Sequence, residues 1–563
     1  MTDETITART IADRHLDQVA AHDPLEAAWL GLHPGDDRQP DRSPEGLEAL
    51  ADIARGTLAA LDAAPAGEDP ADRSCARLLR ERLTAELALH DSGENFRQLR
   101  NIGAHVHHVR EIFTYMPTAT EDDWAAVAGR LRNLPAALDG YRATLTEGMA
   151  RRLFAAPRQA ATVVDQLTAW TGEGAGSPGT GGAGWFADFV APGPEPLRGE
   201  LDAAALRATA AVAGFRDWLR DTYAPATVGT PDGVGRERYR LAARYNSGAD
   251  LDLDEAYAWA WSEFHRLAAD LHTEAERVLP GAGAREAMDH LERHGHAVQG
   301  EEAIRDWLQQ LMDEAIAALD GTHFDIAGPL RRVESRIAPA GSAGAPYYNG
   351  PSLDFSRPGR TFLPTLGRTS FPTWQLVTTW YHEGVPGHHL QLAQWVAVAD
   401  RLSRYQSTLG TVSANIEGWA LYAERLMDDL GFLTEPAHRL GFLDQQMLRT
   451  IRVIVDIGMH LGLSVPADAG FHPGERWTPG LATEFMATYN GSPAALRESE
   501  IVRYLGWPGQ AIGYKLGERV WLEGREAARR RQGAAFDLKT WHMKALSLGS
   551  LGLDDLAEQL AAL

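Results

Sequence analysis

Thr378 to Gln391 reads TTWYHEGVPGHHLQ, and this stretch carries most of the chemical information in the chain. Three histidines and a glutamate (His382, Glu383, His388, His389) fall within eight residues of an otherwise apolar helical pattern. Imidazole with carboxylate is the donor set of hydrolytic zinc sites, where a neighbouring glutamate takes a proton from bound water. The compact form of that motif, H-E-x-x-H, puts its two histidines one helical turn apart. Here the fourth position after His382 is Pro386. His388 follows six residues on, and a regular helix would rotate it by ~240° away from His382. A regular helix therefore cannot bring the two together. Pro386 has no N–H to offer the His382 carbonyl, and Gly387 follows it, so the helix must bulge or break there. A break absorbing two residues returns His388 to the second ligand position. His389 lies on the same face as His382 but ~10 Å along a regular helix, and it stays open as the alternative.

A third ligand has to come from another element. Asn415 to Leu426, NIEGWALYAERL, reads as a helix with Glu417 and Glu424 on one face among Trp419, Leu421 and Tyr422. A carboxylate on so apolar a face is costly unless something pairs with it. Glu417 is the expected metal ligand, and Glu424 the expected supporting carboxylate or arginine partner. Two imidazoles and a carboxylate suit one Zn²⁺, and Co²⁺, Mn²⁺ or Fe²⁺ fit the same donors.

Further along, Arg452, Asp456 and His460 stand at four-residue steps in LRTIRVIVDIGMHLGL. Arg452 and Asp456 read either as a buried ion pair or as a clamp in which Arg452 grips a substrate carboxylate. His460 is a candidate oxyanion donor or supporting residue. Tyr504 and Tyr514 flank the Pro508–Gly509 break, and either hydroxyl could stabilise an oxyanion. Gln510 either binds substrate or caps the break. Upstream, Tyr348 and Asn349 lie in a segment suited to pairing with an extended substrate backbone. His105, His107 and His108 form a second cluster, which without a nearby carboxylate or cysteine reads as a helix-end surface patch.

Around these motifs the chain is mainly α. Apolar residues recur at helical spacing in Ile11–Leu30, Leu78–Leu89, Trp124–Leu153, Leu201–Leu219 and Asp254–Val278. Ser43 and Thr120 precede acidic first turns as capping residues. The Gly-rich run 171–184 reads as a loop, either between an N-terminal helical region, 1–170, and a catalytic region, 185–563, or on the surface of one continuous domain formed by both, which is the arrangement expected overall. Ala345–Pro364, broken by Gly and Pro, suits edge strands or an extended loop and not a central strand.

Composition narrows the partners. Of 563 residues, 54 are Lys or Arg and 77 Asp or Glu, giving a net charge of −23. Such a surface disfavours a phosphate backbone or an anionic membrane, so neither nucleic acid nor membrane is an expected partner. With a single cysteine, Cys75, no internal disulfide is possible, and a cytoplasmic location is expected.

The run His382 to Gln391, HEGVPGHHLQ, resembles the signature of the bacterial family called domain of unknown function 885. Glu417 to Glu424, Arg452 to His460 and Arg503 to Ala511 extend the likeness over essentially the whole chain. That family looks like a distant relative of gluzincin metallopeptidases of the thermostable carboxypeptidase type. The resemblance implies a large helical zincin-like fold with a deep cleft and a small β element beside the metal-binding helix. It further implies His382, His388 and Glu417 as zinc ligands and Glu383 as general base. The expected function is a zinc-dependent hydrolase of an amide bond, most simply in a small peptide. The alternatives are a hydrolase of a non-peptide amide or carbamate, and a binding protein that keeps the fold without turnover.

Overall fold

The computed structural model describes residues 7–65, 67, 69–173, 184–339 and 344–563. Of the chain, 67% is helix and 4% strand, which makes the fold mainly α. It divides into two compact units, Met1–Asp232 with Leu505–Trp507, and Gly233–Tyr504 with Pro508–Leu563. The helices on both sides of the Gly-rich run belong to the first unit. Residues 174–183 of that run lie outside the described residues.

In the first unit, α1 (Ala8–His22), α2 (Pro44–Ala63) and α3 (Pro70–Asp91) pack on one another. The expected Ile11–Leu30 helix is interrupted at Asp23, whose side chain caps a new short helix at Pro24. Ser43 caps α2 as read, accepting from the Gly46 N–H. Beyond them run α4 (Glu121–Ala150), α5 (Pro157–Trp170) and α6 (Arg198–Trp218). Thr120 starts α4 with a reciprocal capping box to Asp123. Leu131, Leu138, Val163, Leu167, Ala204 and Val212 face inward from these three helices and join one buried apolar cluster. His105 is 7% exposed, so the expected surface patch is wrong. His107 accepts from the Ala104 N–H, and His108 accepts from the Arg42 guanidinium, inside packed helices.

The second unit contains α7 (Leu253–Val278) and α8 (Glu301–Leu319), after a first helix at Arg236–Ser247. Five short strands follow: β1 (Ala297–Gln299, preceding α8), β2 (Val333–Ile337), β3 (Tyr347–Asn349), β4 (Gly359–Leu363) and β5 (Ser370–Pro372). β1 pairs with β5 antiparallel. The other sheet runs β2-β4-β3, with Val333 opposite Gly359 in parallel and Tyr348 opposite Thr361 antiparallel. β4 is therefore a central strand, against expectation. Pro358 and Pro364 flank it without interrupting it, so all five residues keep their place in the ladder. β3 is the edge strand that was expected.

Next come α9 (Leu376–Glu383), α10 (His388–Ala397), α11 (Ser413–Asp429), α12 (Pro436–Leu461), α13 (Ala494–Gly506) and α14 (Gly513–Gln532). α12 lies along α7, and α11 along α14. The second pair approaches closely because glycines meet: a Cβ at Gly418 would stand 2.5 Å from the Gly517 backbone. That contact seats Glu417 against α14. Among the described residues no helix is long and apolar enough to cross a membrane.

Candidate metal centre

The helix carrying the histidines breaks where Pro386 requires it. α9 ends at Glu383, and α10 starts at His388 after the four-residue link Gly384–Gly387. The Gly387 N–H donates to the Tyr381 carbonyl at 3.0 Å, turning the chain back on its own helix end. A Cβ at Gly387 would lie 2.0 Å from the His382 carbonyl oxygen, so only glycine fits. From α11, the Trp419 indole N–H donates to the carbonyls of Pro386 (2.9 Å) and Gly387 (3.1 Å) and pins the link. The break thus does what the sequence required of it: the His382 and His388 rings meet edge to face with centroids 4.7 Å apart.

His382, Glu383 and His388 each present a ligand atom within 4.8 Å of the others. Glu417 Oε2, from α11, lies 3.3 Å from His382 Nε2 and 3.6 Å from His388 Nε2. Two donors each ~2.0–2.1 Å from a tetrahedral ion stand ~3.3–3.4 Å apart, so the spacing is that of a ligand set. Behind it, His382 Nδ1 donates to Glu424 Oε1 at 2.7 Å, and the Thr378 hydroxyl donates to Glu424 Oε2 at 3.2 Å. With Nδ1–H committed to Glu424, a neutral His382 turns its Nε2 lone pair toward a carboxylate oxygen. Two acceptors facing each other at that distance need a positive charge between them, either a second proton or a metal ion. Among the described residues Glu417 Oε2 has no hydrogen-bond partner of good geometry and is buried, as is His388 Nδ1. The donor set, its spacing and its orphaned oxygen all fit a zinc-type ion.

Electrostatics agree with this crowding. Burial opposes charge on His382, but the Glu417 and Glu424 carboxylates outweigh it and push the ring up to about 9. At Glu417 burial is likewise overcome, by the two imidazoles, which hold the carboxyl well below its usual range. At Glu383 the compensation is incomplete: burial raises it, His388 and His382 offset this only in part, and Glu417 adds to it. A carboxyl raised in this way is the better proton acceptor, as a general base requires.

His389 is excluded by its own bonds. Its Nε2–H donates to the Leu330 carbonyl at 2.8 Å, which leaves Nδ1 to accept from the Tyr348 hydroxyl at 2.9 Å. Burial keeps the ring neutral, lowering it to about 4. No lone pair remains for a metal. Tyr348 thus serves to hold His389, while Asn349 is exposed at the end of β3.

The other predicted residues separate into two groups. Tyr514, at the start of α14, is near the centre: burial and then the Glu417 charge push its hydroxyl up to about 12, so it stays a donor. Tyr504 is fully buried and donates to Glu500 Oε2 at 2.6 Å. Arg452 does not pair with Asp456. Its Nε and Nη2 donate to Glu500 Oε2 at 3.1 and 2.9 Å, and its guanidinium lies 4.6 Å above the Tyr514 ring. Glu500 also binds Arg503, whose Nη1 donates to Gln510 Oε1, so the Gln510 carbonyl is already engaged. Asp456 instead accepts from the Tyr239 hydroxyl (2.6 Å) and the Gly509 N–H (2.9 Å). His460 Nε2–H donates to the Tyr504 carbonyl at 3.0 Å, and its Nδ1 accepts from the Val234 N–H at 3.3 Å. These bonds give His460 a structural role. Sequence reasoning missed Arg449, three residues before Arg452 on the same helix, whose charge bears on both Glu383 and Tyr514. The signal was the shared face of an arginine already singled out.

No curated protein matches the chain. Two solved structures share its fold over nearly their full lengths. One, described as a "putative lipoprotein" from Colwellia psychrerythraea, is 19% identical with a TM-score of 0.82, covering 99% of this chain and 98% of that one. The other, a "putative lipoprotein of unknown function" from Shewanella oneidensis, is 17% identical with a TM-score of 0.75, covering 99% and 100%. At such identities the likeness concerns the fold alone. A family model described as "Bacterial protein of unknown function (DUF885)" matches residues 24–560, nearly the whole chain, and the protein belongs to that family.

Proposed function

We propose that this chain is a zinc-dependent hydrolase that cleaves an amide bond, with a small peptide as its substrate, in the manner of the gluzincin carboxypeptidases. The observation that carries the reading is the convergence of His382 Nε2, His388 Nε2 and Glu417 Oε2 at 3.3–3.6 Å, with Glu383 adjoining. His382, His388 and Glu417 would hold the ion, and Glu424 would fix the His382 tautomer. Bound there, zinc supplies an acidified water and a Lewis acid for the scissile carbonyl. Glu383 takes the water's proton and returns it to the leaving amine. The Tyr514 hydroxyl, kept protonated, donates to the oxygen on which negative charge develops. A non-catalytic binding protein would be expected to lack the base, and Glu383 is present. The cytoplasmic location expected from the single cysteine belongs to the same proposal, and cell fractionation checks it.

The test is elemental analysis of the purified protein together with the Glu383→Gln variant. We expect about one zinc per chain in both, with turnover on a peptide library lost only in the variant. Wild-type protein that takes up no metal when supplied with zinc would overturn the proposal.

A further inference from the structure

The two histidines of the centre are supported unequally. His382 gives its Nδ1–H to Glu424, while His388 Nδ1 is buried and has no hydrogen-bond partner among the described residues. An imidazole that offers Nε2 to a metal carries its proton on Nδ1, so His388 needs an acceptor there as much as His382 does. One turn along α10, a second buried atom lacks a partner. Gln391 is 1% exposed, and its Oε1 has no donor among the described residues. It stands three residues after His388, on the neighbouring turn of the same face. Both side chains lean on α11: His388 meets Glu417, and Gln391 meets Asn415.

Which end of the Gln391 amide is the oxygen follows from a chain of bonds. Asn415 Nδ2 donates to the Leu551 carbonyl at 3.1 Å, which leaves Asn415 Oδ1 as an acceptor. Gln391 Nε2 donates to that Oδ1 at 3.1 Å, so Gln391 Oε1 is the free end. A donor without an acceptor and an acceptor without a donor are each costly when withdrawn from water, and joining them removes both costs. We infer that Gln391 is the positioning residue for His388. Its carbonyl oxygen receives the Nδ1–H, directly or through one bridging water, and so fixes the tautomer and plane of the ring. The role rests on the metal site of the proposed hydrolase. Leu551, Asn415 and Gln391 then do for His388 what Glu424 does for His382, without adding a negative charge to a centre that already holds Glu383, Glu417 and Glu424.

The experiment measures the zinc affinity of the full chain by competition with a chelator and follows the ring N–H protons of the zinc-loaded protein by NMR. Gln391→Met keeps the bulk of the side chain and removes the acceptor. Its affinity is expected to fall about 10–100-fold, with one ring Nδ1–H signal shifted or lost to exchange with solvent. Gln391→Glu supplies an acceptor again, yet as a carboxylate it cannot donate to Asn415. Zinc held as tightly as in wild type by that variant ties the effect to Oε1 and not to the contact with α11. The Glu variant also decides the matter if Gln391→Met does not fold: weaker binding than wild type overturns the role. Zinc held equally by wild type and Gln391→Met, or a loss that Gln391→Glu does not reverse, would overturn it and leave the hydrolase reading standing. Wild type that takes up no zinc would overturn both.

Discussion

Glu424 Oε1 lies 2.7 Å from His382 Nδ1, and the same imidazole turns its Nε2 toward Glu417 Oε2 at 3.3 Å. One carboxylate on α11 thus fixes which ring nitrogen is free, and another on the same face, seven residues earlier, meets it. Glu424 is 1% exposed, so it cannot trade His382 for water.

That relationship predicts the effect of Glu424→Gln. The amide keeps an acceptor for His382 Nδ1–H but removes the charge that raises the ring's basicity. Outer partners of this kind are worth about 10–100-fold in metal affinity. Zinc titration against a competing chelator should show a loss of that order with the fold intact. Unchanged affinity would remove Glu424 from the centre.

His389→Ala separates the two neighbouring histidines. His389 is fully buried between the Tyr348 hydroxyl and the Leu330 carbonyl, so truncation leaves both without their partner. A cost of about 1–3 kcal/mol per buried unpaired group is expected, read as a lowered unfolding midpoint. Zinc content should stay near one per chain. His388→Ala should do the reverse, and zinc lost in His389→Ala but kept in His388→Ala would exchange the assignments.

The helical body, the capping at Ser43 and Thr120, and the break at Pro386 were all legible, because each depends on neighbours in sequence. The break was legible for a specific reason: a missing N–H four residues after His382 leaves a helix no way to continue. Choosing between His388 and His389 was not possible, since the deciding partners, Tyr348 and Leu330, are about forty and sixty residues away. Arg452 was misjudged similarly. Helical spacing offered Asp456, while Glu500 from α13 took the charge, and only tertiary packing could reveal that. Asp456 was left to a tyrosine and a backbone N–H.

Among the described residues Asp456 consequently has no arginine or lysine paired with it, only the His460 ring beside it, and its pH dependence follows. Oδ2 accepts from Tyr239 and the Gly509 N–H; Oδ1 has no hydrogen bond among the described residues and lies 3.6 Å from His460 Nε2. Burial pushes the carboxyl up to about 7, against the Tyr239 and Gly509 bonds and the more distant Arg503 charge, which work to lower it. The folded state therefore holds this proton more tightly than the unfolded chain, where a free aspartate titrates near 4. Between about pH 4 and 7 the folded protein binds more protons than the unfolded one, so stability falls as pH rises through that window. Above pH 7 the penalty is complete and amounts to a few kcal/mol, from about 1.4 kcal/mol per unit over roughly three units. Asp456→Asn keeps an acceptor for Tyr239 and Gly509 and cannot ionise. Denaturant titrations should show the variant more stable than wild type at pH 8 and nearly equal to it at pH 4. A stability difference that does not change across that range would mean that Asp456 ionises freely in the fold.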